Sequence, residues 1–505
     1  MAVVTVVVAM ACSSTPATPA PATAAPPKTT APVTAPPASQ PAATATAVAA
    51  TPEVTVAPAT TGPAPAALPT VPTGYKELDT ALTPGSDGKM PYAGTKVNIQ
   101  VKWTGGELTN FTASLAAFAK ASGITMAIDS VPSSHETVLK SRIEGGAPPD
   151  IAQLAQPTPV LAYAAEGKVI DVATFMDTAK LNSEHPSTIG LVTDGTHIWG
   201  IPYKADVKST IWYPIKAFAA KGYTVPATWD DLLKLSDQIV ADGSNPWCVS
   251  AGGPGDATGW QLTDWIEEVV LKTKGLAFYN DWISHKVTFQ DPGIKAAFDD
   301  VGKILFTPNY VYGTNTNIVQ QDQKTTMDPM FNPGDMSAPQ CWMQKIPTWY
   351  GPDFFPDQRA NPATPSKYIL GTDVGIFPFP TIDAAQNNAE GSADTMMVLV
   401  DRPEVRAVAE LMAVPEGLAA WIQAGSAIST NNKTPQDWYA GSYKLTVASQ
   451  IANNAAGIGF DASDLMPGAV GAGTFWTQMD AWANSNGTNT DAVLKAIDDS
   501  WPASP

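Results

Sequence analysis

At 505 residues the chain is long enough for two or three domains, each with a core of its own. Its formal charge of −18 rests on residues 76–505, because Lys28 and Glu53 are the only charged side chains before them. An acidic body of this kind lacks the clustered Lys and Arg that nucleic acid or an anionic membrane surface requires, so both are set aside as partners.

The first residues, MAVVTVVVAMAC, read as the apolar core of a signal peptide over residues 1–12, too short to span a bilayer. Ala9-Met10-Ala11-Cys12 is similar to a bacterial lipobox, in which Cys12 carries the lipid; a plain signal peptide with an incidental Cys is the alternative. Residues 13–74 hold 15 Pro among Ala, Thr and Ser and no aromatic residue, so they bury too little apolar surface to offset their ordering entropy. They are expected to form an extended, partly polyproline tether. With Cys12 lipidated, Cys248 and Cys341 are left as a pair that can form one disulfide in an oxidising compartment, two free buried thiols being the alternative. On the chain-entropy model a bridge over so long a loop contributes on the order of 4 kcal/mol.

Folding is expected from about Tyr75. Residues 97–103 alternate apolar and polar side chains at strand period, and Thr104-Gly105-Gly106 turns the chain into a helix with Leu108, Phe111, Leu115 and Phe118 on one face. Ile124, Met126 and Ile128 predict the next strand, Ser133 and Glu136 a capping box, and Pro149-Asp150-Ile151 a third strand. Strands alternating with helices predict a parallel sheet covered on both faces, which binds ligands in the loops beyond its strand ends. Glu107, at a helix start, and Gln153 and Gln156 fall in such loops.

Further along, residues 209–213 read as a strand, and Thr228 with Asp231 caps a helix through Leu232, Leu235 and Ile239. Residues 246–268, PWCVSAGGPGDATGWQLTDWIEE, gather three Trp around a Gly-rich loop that feeds a helix. On that helix Trp260 and Asp264 stand four residues apart, so a flat apolar plate and a carboxylate share one face. Those are the two things a sugar ring asks for, stacking for its C–H face and polar partners for its hydroxyls, whereas Trp265 reads as core. A helix follows from Asp291-Pro292 to Leu305, and residues 313–367, with Cys341-Trp342-Met343-Gln344, lack periodicity and read as loops over a cleft. Residues 374–380 and 396–400 predict strands, Pro403 opens a helix, and the rest is helical, including one beginning near Trp476.

Six stretches occur in order, PPDIAQLAQ, GIPYKADVKSTIWYP, WCVSAGGPGDATGWQLTDWIE, GIFPFPTID, DRPEVRAVAELMAVPEG and FDASDLMPGAVGAGTFW. With them the chain resembles the extracellular solute-binding proteins of ABC sugar importers, the maltose-binding-protein type and within it the alpha-glucoside-binding subgroup. The resemblance covers residues 95–500 and implies an α/β, two-lobed, periplasmic-binding-protein-like fold with a hinge and an interlobe cleft. It places lobe 1 at 75–205 plus 375–430 and lobe 2 at 206–374 plus 431–505, with crossings near Lys204 to Asp206, Val374 and Thr430. It implies a ligand set of Glu107, Gln153 and Gln156 from lobe 1, Trp260, Asp264, Trp342 and Trp476 from lobe 2, and Asp206 at the hinge. Ser392-Ala393-Asp394 departs from the Gly-rich run of the type, which leaves Asp394 out of that set.

The function so implied is capture of a sugar, an alpha-glucoside di- or oligosaccharide, for delivery to the transmembrane subunits of an ABC permease. The receptor would be a monomer without cofactor or metal, held by its lipid on the outer face of a bacterial cell membrane. The rival readings are a secreted glycoside hydrolase, which also uses Trp plates and paired carboxylates, and a surface lectin or sensor. The chain has no GxSxG or HExxH motif, and His135, His185, His197 and His285 show no metal-ligand spacing.

Overall fold

Val97, Ile99 and Val101 alternate with polar residues, and all three are buried, which makes Lys96–Val101 the first strand (β1). The others are β2 (Thr125–Ser130), β3 (Ile151–Leu154), β4 (Ile201–Val207), β5 (Thr210–Pro214), β6 (Asn245–Trp247), β7 (Cys341–Lys345), β8 (Val374–Pro378), β9 (Ala389–Val398), β10 (Ile428–Ser429) and β11 (Ile458–Phe460). The computed structural model describes residues 68–502 apart from Ser133, 253–257, Thr314 and 362–363. Cys12, the expected signal peptide, the expected tether up to residue 67 and Ser133 of the first expected capping box therefore lie outside the described residues. Among these residues no helix is long and apolar enough to cross a membrane.

Two sheets organise two lobes. The first runs β10-β4-β9-β3-β1-β2, with β11 added to β9, and the second runs β6-β7-β5-β8. β1 pairs in parallel with β2 and β3 as predicted, but β9 lies antiparallel to both β3 and β4, so the sheet is mixed. β9 starts seven residues earlier than the strand predicted from Met396, because Glu390, Ser392 and Asp394 interrupt its apolar pattern. Glu390 and Asp394 meet lysines inside the protein, Lys345 at 3.4 Å and Lys204 at 3.2 Å, which lets a strand without hydrophobic alternation be buried.

The loop character expected of residues 313–367 fails at β7, which is buried along its whole length and pairs with β5 and β6. A strand covered on both faces shows no alternation to read. The disulfide Cys248–Cys341 is present, its Cα atoms 5.4 Å apart, and ties the end of β6 to the start of β7. β8 pairs with β5, and Phe377 and Phe379 belong to the second core, so the chain does not return to the first lobe near Val374 but through β9. The last crossing also shifts. Asn432 N–H donates to the Glu184 carbonyl at 2.8 Å, on the first lobe, and the chain reaches β8 with the helix Tyr443–Asn454, where the Tyr443 hydroxyl accepts from Ile376 N–H at 3.1 Å. Asn432, beyond the crossing expected near Thr430, thus still bonds the first lobe.

Each lobe has its own core. Phe111, Leu115 and Trp421 pack beside β1 and β3 in the first, and Trp247, Trp265, Val269 and Phe298 in the second. Trp265 is core as expected and meets Trp247 edge to face at 5.1 Å, a pairing that contributes about 1 kcal/mol beyond its buried area.

Candidate ligand-binding site

β4 carries Lys204, Asp206 and, one residue past its end, Lys208 at intervals of two, so all three project from one face of an extended chain at the point where it passes between the lobes. All three are buried. Lys204 Nζ binds Asp206 and lies 3.2 Å from Asp394. Burial works against its ammonium, yet Asp206, Asp394 and Glu107 outweigh it and hold Lys204 protonated. Lys208 Nζ donates to Asp264 at 2.7 Å and to Asp461, and lies 4.0 Å from Glu390. Burial opposes this charge too, and Asp264, Asp461 and Glu390 keep it.

Asp264, Glu267, Glu390 and Asp461 bring carboxylate oxygens within 4.8 Å of one another, spacing that could hold a metal ion. The Lys208 ammonium already bonds two of them, so the cluster has a cation of its own. Its surplus of negative charge is relieved in part by burial, which pushes the Glu267 and Glu390 carboxyls up, while Lys208 holds Asp461 below the usual range despite burial.

Above these charges lies a cavity of about 230 Å³. Lys102, Trp103 and Glu107 line it from the first lobe, and Trp260, Trp349 and Trp476 from the second. Trp260 and Trp349 form an aromatic corner, their ring centroids 6.2 Å apart and tilted by 54°, and Lys208 Nζ stands 5.5 Å from the Trp260 centroid. Trp476 donates its indole N–H to Ser463 Oγ at 3.2 Å. Gly259, at φ +95°, permits this wall: a Cβ there would meet the Trp476 carbonyl oxygen at 2.0 Å. Aromatic plates beside carboxylates and ammonium groups can stack on a sugar ring and bond its hydroxyls at once.

Of the residues expected at the ligand, Glu107, Gln156, Asp206, Trp260 and Trp476 line this one cavity. Gln153 and Asp264 sit behind its wall. Gln153 Nε2 donates to Asp394 at 2.6 Å and its Oε1 accepts from Lys102 N–H at 3.2 Å, so it positions Asp394, while Asp264 anchors Lys208. Trp342 is a correction: it is buried in the second core against Tyr223, ring centroids 5.0 Å apart, and its N–H donates to Ser244. Asp394, left out of the expected set, lines the cavity together with Lys204, Lys208, Lys324, Trp349, Asp461 and Asp464. The period-two charges of β4 were a legible signal for the first two lysines. Trp349 lies in an aperiodic segment and carried none.

Burial pushes the Glu107 carboxyl up to about 7; Lys204 opposes the shift, and Asp394 and Asp206 add to it. The folded state therefore holds this proton more tightly than the unfolded chain. Its contribution to stability is complete below the ordinary 4.5 and is lost as pH rises through about 7. The melting temperature is expected to respond to pH in that window less in Glu107→Gln than in the parent. Superimposable pH profiles would refute the assignment.

Residues 104–419 match the family of bacterial extracellular solute-binding proteins. The chain is 31% identical over 398 residues to the osmoprotective compounds-binding protein GgtB of Synechocystis sp., covering 77% of this chain and 88% of that protein. It is 29% identical over 423 residues to the alpha-glucosides-binding periplasmic protein AglE of Rhizobium meliloti, covering 79% and 89%. Its fold is shared by the solute receptor AcbH, which prefers b-D-galactopyranose, with a TM-score of 0.67 at 15% identity over 81% of this chain and 98% of that one. It is shared as well by maltose-bound MalE3 of T. maritima, with a TM-score of 0.60 at 16% identity over 80% and 98%. Two lobes, a cavity walled by aromatic and charged side chains, and a match over more than half its length make the chain a member of the bacterial extracellular solute-binding protein family.

Proposed function

We propose that the protein is the substrate-binding lipoprotein of an ABC importer, capturing an alpha-glucoside di- or oligosaccharide between its lobes and handing it to the permease subunits. The observation that carries this reading is the cavity itself, where Trp260, Trp349 and Trp476 offer apolar faces beside Glu107, Asp206 and Lys208. The name of the Rhizobium relative supports the alpha-glucoside class. On this reading Cys12 carries the lipid, the Pro-rich segment is a tether that keeps the receptor within reach of its permease, and the receptor acts as a monomer without cofactor. The sugar is bound and released intact.

A thermal-shift panel of maltose, trehalose, sucrose, maltotriose and glucose tests the reading, because a ligand that binds only the folded form raises its melting temperature. One or more alpha-glucosides are expected to raise it in a saturable way. No shift with any sugar, or reducing sugar set free from trehalose or sucrose on incubation, would overturn the receptor reading.

A further inference from the structure

The two lobes touch at both rims of the cavity. At one rim Lys324 Nζ donates to Thr104 Oγ1 at 3.2 Å. Beside it the Asp353 side chain lies so close over Gly106 that a Cβ on Gly106 would come within 2.1 Å of Asp353 Cγ. At the other rim Thr158 Oγ1 donates to the Asp464 carbonyl at 3.0 Å. Thr104 and Gly106 cap and open the first-lobe helix Gly105–Ser122, whereas Lys324 and Asp353 belong to loops on either side of β7.

Those two loops are tied together. Arg359 Nη1 donates to the Lys324 carbonyl at 2.7 Å and also to the Phe354 carbonyl, and Arg359 Nη2 pairs with Asp328. Arg359 thus links Lys324 to Phe354, the neighbour of Asp353. Lys324 also lines the cavity, and its charge acts on the Glu107 carboxyl across the cleft.

We propose that Lys324 and Asp353 form a latch on the first turn of the helix Gly105–Ser122, and that Gly106 is the notch that admits it. Lys324 is a positioning residue: bound to Thr104, it closes the rim over the ligand and slows escape. Gly106 matters because a Cβ there would clash with the Asp353 side chain, which would have to leave its place before the lobes could come together. The latch rests on the reading of the cavity as a ligand cleft, but its geometry does not depend on which sugar is bound.

Two measurements test it on the mature protein. With the sugar found by the thermal-shift panel, Lys324→Ala is expected to raise the dissociation rate about tenfold with little change in the association rate, and Lys324→Arg to restore most of the loss. In small-angle scattering, Gly106→Ala with saturating sugar is expected to keep the larger radius of an open form while the parent contracts, with a melting temperature close to the parent's. A parental dissociation rate in Lys324→Ala together with full contraction of Gly106→Ala would overturn the latch. If the parent binds no sugar, the sugar reading fails separately, and scattering of the ligand-free proteins then decides: a more extended Gly106→Ala supports the latch, and equal radii refute it.

Discussion

Trp260→Ala is expected to weaken sugar binding at least tenfold, about 1.4 kcal/mol, while the protein stays folded. The indole is only half-buried, at the first turn of the helix Trp260–Ile283, and its exposed part faces the cavity beside Trp349. Truncation therefore removes a plate from the ligand and comparatively little from the core. The aromatic corner with Trp349 is lost as well, leaving one wall of the site open to water. Trp476 needs a gentler probe. It is 5% exposed and bonds Ser463, so Trp476→Ala combines the lost ligand contact with a core cavity, whereas Trp476→Phe keeps most of the volume. Titration calorimetry with the panel's best sugar, beside melting curves, separates the two contributions. Parental affinities for Trp260→Ala and Trp476→Phe together would remove both from the site.

Lys208→Met is expected to cost about 3–5 kcal/mol of folding stability, because it strips the bonded cation from buried Asp264 and Asp461 and leaves Glu390 with Lys345 as its remaining ion pair. The intact network is not a large source of stability, since every ion in it was taken out of water at a cost of several kcal/mol. Removing one member is what is expensive. Without Lys208 the carboxyls take up protons more readily when folded than when unfolded, so the deficit should shrink as pH falls from 8 to 5. Denaturant melts at both pH values give the comparison, and a loss below 1 kcal/mol at pH 8 would show that the network reorganises without its lysine.

What could be read in the chain beforehand follows from where its periodicity is honest. β1 and the helix Gly105–Ser122 each bury one face, so period two and period 3.6 stand out in Val97 to Val101 and in Phe111, Leu115 and Phe118. Thr228 accepts from Asp231 N–H as its spacing predicts, a local bond that needs no tertiary partner. β7 and β9 do not stand out, for the opposite reason. One is buried on both faces and the other carries inward carboxylates, so neither follows an amphipathic rule.

By itself the sequence determined the acidic body, the Pro-rich lead-in and the strand and helix alternation, and it left Cys248 and Cys341 open to pairing or to remaining thiols until the fold brought them together. The i, i+4 relation of Trp260 and Asp264 was also legible, because helix geometry sets it locally. Only the tertiary structure decided that Asp264 serves Lys208 and that Trp342 is core. It alone brought Lys324, Trp349, Asp394 and Asp461 to the cavity. These residues lie far apart in sequence, and whether a buried charge or an indole faces a core or a cleft depends on which distant element packs against it.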